Sequence, residues 1–159
     1  MISLFQHRRI RQKQIGDAKK FYKYNPSDER VTSAWIYALR KRGKYSQPID
    51  SGKWLIFLET TKIDGVWKKI KVAVESGKLG EIAKVSPVNR ARIGSFSRKP
   101  EHVICVYTYD WNDQADVMRI RDMLTKLGIT WPISYKTDAD TRAGKYANRG
   151  DRNISKYRV

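Results

Sequence analysis

SGKWLIFLETTKIDGVWKKIKVAVESGKLGEIAKVSP, residues 51–87, reads as a strand, a short polar link, an amphipathic helix and a second strand. The run Trp54-Leu55-Ile56-Phe57-Leu58 is apolar, β-rich and bounded by turn formers, which predicts a strand buried on both faces near the centre of a sheet. Behind it, Ile63, Val66, Trp67, Ile70, Val74 and Leu79 fall close to helical spacing, while Lys68, Lys69, Lys71 and Lys78 take other faces. This pattern predicts one helix, ending near Gly77, lying on one sheet. The next strand, Glu81 to Val85, stops at Ser86-Pro87.

Working toward the C-terminus, residues 86–100 hold Arg90, Arg92, Arg98 and Lys99 with no acid, and form a basic loop between strands. A strand over His102 to Tyr109 follows. Asp110-Trp111-Asn112-Asp113 then caps a helix whose apolar face is Val117, Ile120, Met123, Leu124 and Leu127, closed by Gly128. Ile129 to Lys136 predicts a last full strand, and residues 137–150 a polar loop in which Asp140 caps a turn toward Arg142 or Gly144. Residues 154–159 suit a short terminal strand.

Toward the N-terminus, Asn25-Pro26-Ser27-Asp28-Glu29 carries the features of a helix start. Val31, Ala34, Trp35, Ala38 and Leu39 follow at helical spacing, and Arg40-Lys41-Arg42-Gly43-Lys44 supplies a stop. Trp35 suits core packing in that helix and is also an upstream ring available for stacking. Residues 1–24 read as a basic arm or helix, and residues 25–159 as one domain.

The charge is uneven and large: 33 Lys and Arg stand against 16 Asp and Glu, a net +17. Such an excess implies a polyanionic partner, because Lys and Arg displace condensed counterions from phosphates. Nucleic acid, RNA in the first place, or a phosphorylated nucleotide is the expected partner. No apolar run is long enough for a transmembrane helix, so no membrane insertion is expected. The lone Cys105 lies in the apolar run Val103 to Tyr107 and rules out a disulfide framework within the chain. The expected location is intracellular, in the cytoplasm.

In order, these elements resemble the C-terminal half of the cap-binding translation initiation factor of the 4E type. Gly52-Lys53-Trp54-Leu55-Ile56 is similar to that family's Gly-Arg-Trp-Leu-Ile strand, and Asp64-Gly65-Val66-Trp67 to the Trp-bearing helix start behind it. Asp138-Ala139-Asp140-Thr141 with Lys145 resembles the His-Ala-Asp-Thr loop over the cap phosphates. More closely still, SGKWLIF, AKVSP, HVICVYTYDW and LGI with YKTDADTRAGKY resemble the basophilic-leukaemia-expressed protein family, whose fold is of the 4E-like type. The resemblance implies an α/β (α+β) fold with a curved, largely antiparallel sheet and helices packed on one face. It also implies a phosphate-binding set of Lys53, Lys84, Arg90 or Arg92, and Lys145. One departure is plain: cap recognition pairs the base with a glutamate directly after a tryptophan, and this sequence has no Trp-Glu dipeptide.

From the residues themselves, the acid-free loop beside Phe96 and Trp111 suits a single strand of RNA or DNA. Cations track the backbone there, and rings stack on bases for about 1–3 kcal/mol each. Together with Lys53, Lys84 and Lys145, which the resemblance implies, the expected binding set is Arg90, Arg92, Arg98, Lys99 and Arg142, with Trp35, Phe96 and Trp111 for stacking. No metal-ligand spacing, phosphate-binding glycine loop or nucleophile elbow is present, so neither a metal nor a cofactor is expected. The closer resemblance carries one enzymatic alternative, a phosphothreonine-lyase-like activity with His102 as acid, Lys53 or Lys136 as base, and Arg90, Arg92 or Arg142 on the phosphate. A protein-interaction adaptor is the other alternative.

Overall fold

In the computed structural model, residues 16, 19–93, 99–144 and 155–159 are described, with Arg92 and Ile93 as backbone only. The order of elements is β1 (Ile36–Leu39), β2 (Gly52–Glu59), α1 (Thr60–Glu75), β3 (Ile82–Val85), a 3-10 turn (Val88–Arg90), β4 (Arg92–Ile93), β5 (Pro100–Thr108), α2 (Gln114–Lys126), β6 (Ser134–Thr137), α3 (Asp138–Arg142) and β7 (Tyr157–Arg158). All neighbouring strands run antiparallel in the order β1-β3-β5-β2-β6-β7, with β4 pairing on β5. The strand of the opening motif therefore has β5 on one side and β6 on the other. Its predicted central place is observed.

The alternation along β2 divides the sheet into two faces. Trp54, Ile56 and Leu58 point into the core with Ile104 and Val106 of β5, under Ile63, Trp67, Ile70 and Val74 of α1. From α2, Val117, Ile120 and Leu124 close the same layer. The Trp54 indole donates to the Val117 carbonyl at 3.1 Å and meets the Tyr135 ring edge-on at 5.2 Å, tying sheet to helix. The opposite face of β2 carries Lys53, Leu55, Phe57 and Glu59. Phe57 is 53% exposed, so the strand is buried on one face and not on both. A five-residue apolar run does not report which of its faces a helix covers.

Four expectations are corrected. The residues read as a helix over 27–39 form turns followed by strand β1, which pairs with β3 through Ile36↔Val85 to Leu39↔Ile82. Cross-strand pairing outweighs the local helical spacing here. Ser27 does not cap a helix of its own. Its amide donates to Asp64 Oδ1 at 3.0 Å and its hydroxyl bonds the same carboxylate, pinning the segment to the start of α1. The residues Phe21-Tyr22-Lys23-Tyr24, assigned to the arm, belong to the domain. Phe21 is a core residue and the Tyr22 hydroxyl bonds Glu75. The polar loop after β6 opens with helix α3, and its cap is Thr137, whose hydroxyl accepts from the Asp140 amide at 3.1 Å. The rest of the arm, residues 1–15, 17 and 18, lies outside the described residues.

Candidate anion-binding face

Register places one set of side chains together on the face of the sheet opposite α1 and α2. Lys53 of β2 stands opposite Tyr107 of β5 and Lys136 of β6, while Lys84 of β3 stands opposite Cys105 of β5 and Tyr37 of β1. Paired residues share a face, so three lysines from three strands converge around Cys105 and Tyr107. Lys53 and Lys136 are directly opposed cross-strand neighbours, only 7% and 6% exposed. Like charges in that relation repel. The first turn of α3 supplies a counter-charge: Asp138 Oδ1 lies 2.5 Å from Lys53 Nζ, which also donates to Thr141 Oγ1 at 2.9 Å. Asp138 is held in turn by the Ser51 hydroxyl and by its own amide on the Ser51 carbonyl at 2.9 Å.

Lys84 completes the group. Its ammonium sits 4.0 Å from the centre of the Trp35 ring and 5.7 Å from that of Tyr107, where the negative ring faces attract a cation. Burial lowers its pKa, with repulsion from Lys53 adding and attraction by Asp138 opposing. Burial likewise pushes the Cys105 thiol up to about 11, against the pull of Lys84 and Lys53, and raises the Tyr107 hydroxyl well above the usual phenol range. The cluster thus gathers three lysines, with Asp138 bonded to one of them, beside the Trp35 ring and a thiol and a phenol that burial keeps protonated. An anion with several acceptor oxygens is the complementary ligand.

Other sequence-derived residues fall elsewhere. Lys99 pairs with Glu59 at 3.7 Å, and Arg92 stands opposite Glu101, the cross-strand partner of Glu59. Glu59 is six residues from Lys53 along β2, about 20 Å at strand rise. The basic loop therefore leaves the sheet at the far end from the lysine cluster. Arg90 ends the 3-10 turn, and Arg142 is exposed at the last residue of α3. Trp111 packs against the core edge with Lys156 4.6 Å over its ring, and its carbonyl accepts from the Tyr157 hydroxyl at 3.1 Å. It is not beside the basic loop. Phe96, Arg98, Lys145 and the Arg92 side chain lie outside the described residues.

The residues named for a lyase are not brought together. His102 is 0% exposed and faces the core, paired with Leu58 across the strands, whereas Lys53 and Lys136 face the other way. Its Nδ1 is 2.7 Å from the Ser86 carbonyl and its Nε2 is 2.8 Å from Thr60 Oγ1, an arrangement that fastens β5 to the start of α1. Sequence reasoning did not assign Asp138 and Thr141 their role as partners of Lys53. The signal was available in the strand-then-Asp-x-x-Thr order, which puts both side chains over the strand end. Among the described residues no group of three or more His, Cys, Asp or Glu could hold a metal, and no helix is long and apolar enough to cross a membrane.

An antiparallel sheet with its helices on one face and a cationic opposite face defines a domain of the 4E-like class. Solved structures bear this out at the level of fold. The chain is similar to schistosome eIF4E, crystallised with m7GpppG and 4E-BP, at 18% identity and a TM-score of 0.58, over 91% of this chain and 81% of that one. It is similar to C. elegans eIF4E-3, in complex with the 4E-binding protein Mextli and a cap analog, at 19% identity and a TM-score of 0.56, over 91% and 80%. Residues 25–144 match the family model of basophilic leukemia-expressed protein Bles03, and the chain belongs to that family.

Proposed function

We propose that this protein is a non-catalytic binder of RNA or a phosphorylated nucleotide, taking phosphate on the face of its sheet opposite α1 and α2. The observation that carries the reading is the strand register that puts Lys53, Lys84 and Lys136 on one face, with Asp138 bonded to Lys53 and with Trp35 and Tyr107 alongside. Lys84 and Lys136 supply charge, Asp138 holds Lys53 in place, and Trp35 offers a ring to a base once Lys84 swings to the phosphate. The net +17 speaks for the same partner class, as does the crystallisation of both fold neighbours with cap nucleotides. The missing Trp-Glu dipeptide argues against a methylated cap base. The protein partners of those neighbours support a second reading, an adaptor that docks protein segments.

The test is fluorescence-anisotropy titration of labelled single-stranded RNA, single-stranded DNA and a guanosine triphosphate probe at two salt concentrations. The native chain is compared with Lys84→Ala/Lys136→Ala and with Arg90→Ala/Lys99→Ala. The face reading expects salt-sensitive binding that the first variant loses by at least about tenfold and the second retains, since each lost phosphate contact lowers the salt slope by about one. Equal binding by the first variant defeats the assignment, and loss only in the second moves the site to the basic loop.

A further inference from the structure

The helix-covered side of the molecule holds a second feature, independent of the lysine cluster. A groove of about 350 Å³ runs between the first turns of α1 and the segment that follows α2. Its walls are apolar, formed by Leu58, Val66, Leu127 and Trp131, and Lys62 and Lys69 stand on its rim. The size matches what one or two bulky side chains fill, at the lower end of ordinary ligand sites.

Three observations mark this groove as built. Trp131 is 38% exposed although its backbone is fixed: Arg121 Nη2 donates to the Trp131 carbonyl at 3.0 Å and Nη1 to the Ile129 carbonyl at 3.0 Å. A half-exposed indole on an anchored backbone is the kind of residue that serves as an anchor in protein interfaces. Next, Gly65 lies inside α1, where glycine costs about 1 kcal/mol relative to alanine. A Cβ there would meet nothing within 4 Å, and the position is not among the positive-φ glycines. Neither its backbone conformation nor packing among the described residues calls for it. Its effect is to deepen the groove. Finally, Gly128 lines the other wall at φ +102, again with open space where a Cβ would stand.

We infer that this groove docks an acidic peptide segment of a partner protein, with one bulky apolar side chain seated against Trp131 over Gly65 and carboxylates meeting Lys62 and Lys69. The charge of the rim selects the occupant. Both lysines are exposed on one face of α1, seven residues and thus about two turns apart, and the chain as a whole is strongly cationic. A basic segment is repelled from it, and a neutral one leaves both lysines unmatched.

The test uses the full chain and a short fluorescein-labelled designed peptide in which a Trp and a Leu four residues apart are flanked by glutamates. Two matched peptides replace the glutamates by lysines or the two anchors by alanines. The acidic peptide is expected to bind and the other two to fail. Trp131→Ala and Gly65→Leu each weaken binding by about tenfold or more, whereas Lys62→Glu/Lys69→Glu reverses the preference toward the basic peptide. Gly65→Ala serves as the folding control: it raises the unfolding midpoint and leaves the groove open. Excess single-stranded RNA leaves docking intact, because the RNA-binding face lies across the sheet. No binding of the acidic peptide at millimolar concentration, indifference to Gly65→Leu, or equal capture of the basic peptide each overturns the inference.

Discussion

The two faces of the sheet are made from the same strands, yet they obey different rules. On the helix side, Trp54, Ile56, Ile104 and Val106 are fully buried and apolar, and the one histidine there is fastened by hydrogen bonds on both nitrogens. One residue along, Lys53, Cys105 and Lys136 put ionisable groups into near-complete burial beside Tyr107, with the Asp138 carboxylate on Lys53. The first face minimises free energy. The second face brings lysines together at a cost that Asp138 offsets at Lys53 and that an anion in the proposed site would offset further, the kind of departure from core rules expected at a binding site.

Four measurements break or sharpen that contrast. The largest effect belongs to the core face: Trp54→Ala removes a buried ring and its bond to Val117, costing about 3–5 kcal/mol in denaturant unfolding. Lys53→Met, at the next position, costs much less. Comparable losses at both positions would dissolve the distinction. Next, Asp138→Asn strips Lys53 of its partner and lowers stability by about 1–3 kcal/mol. The same change is expected to tighten phosphate-ligand binding, because it removes the carboxylate bonded to Lys53. Stability and affinity that fall together sink the division of labour.

A third effect is set by pH. Burial holds the Lys84 pKa below its ordinary value. The folded chain therefore pays for protonating it: that cost is in full force below the folded pKa and is relieved as pH climbs from there to the ordinary lysine value. Ligand affinity runs the other way, since an anion needs the ammonium. Titrated upward toward the ordinary lysine range, native affinity should fall earlier than that of Lys84→Arg, a variant that stays charged. Parallel pH profiles would remove Lys84 from the site. The smallest effect concerns Cys105, whose thiol is raised to about 11 by burial. Thiol reagents at pH 8 should modify it slowly in the native chain and at the ordinary rate in denaturant.

Much of the architecture was legible from spacing. The strand-helix-strand core of residues 51–87, the capped helix opened by Asp113, and the family resemblance all rest on local patterns that tertiary structure then keeps. Residues 27–39 were misread for a physical reason. Val31, Ala34, Trp35 and Ala38 fit a helix as well as a turn followed by a strand, and the deciding contact, pairing with Ile82–Val85, lies far along the chain. The candidate site was half legible. Lys53 and Lys84 could be singled out, and Lys136 was named for a different role. That the three share a face depends on strand order, which periodicity does not encode. Asp138 and Thr141 were read as loop chemistry, because nothing local shows that α3 folds back onto the end of β2.

The opposed pair Lys53 and Lys136 has a consequence for folding itself. Slipping β6 by one residue against β2 would turn Tyr135 outward and drive Lys136 in beneath Trp54. An ammonium group in that apolar layer, beyond reach of Asp138, carries the desolvation cost of an unpaired buried charge. The lysine proposed to meet an anion on this face therefore also disfavours mispaired strands while the sheet assembles.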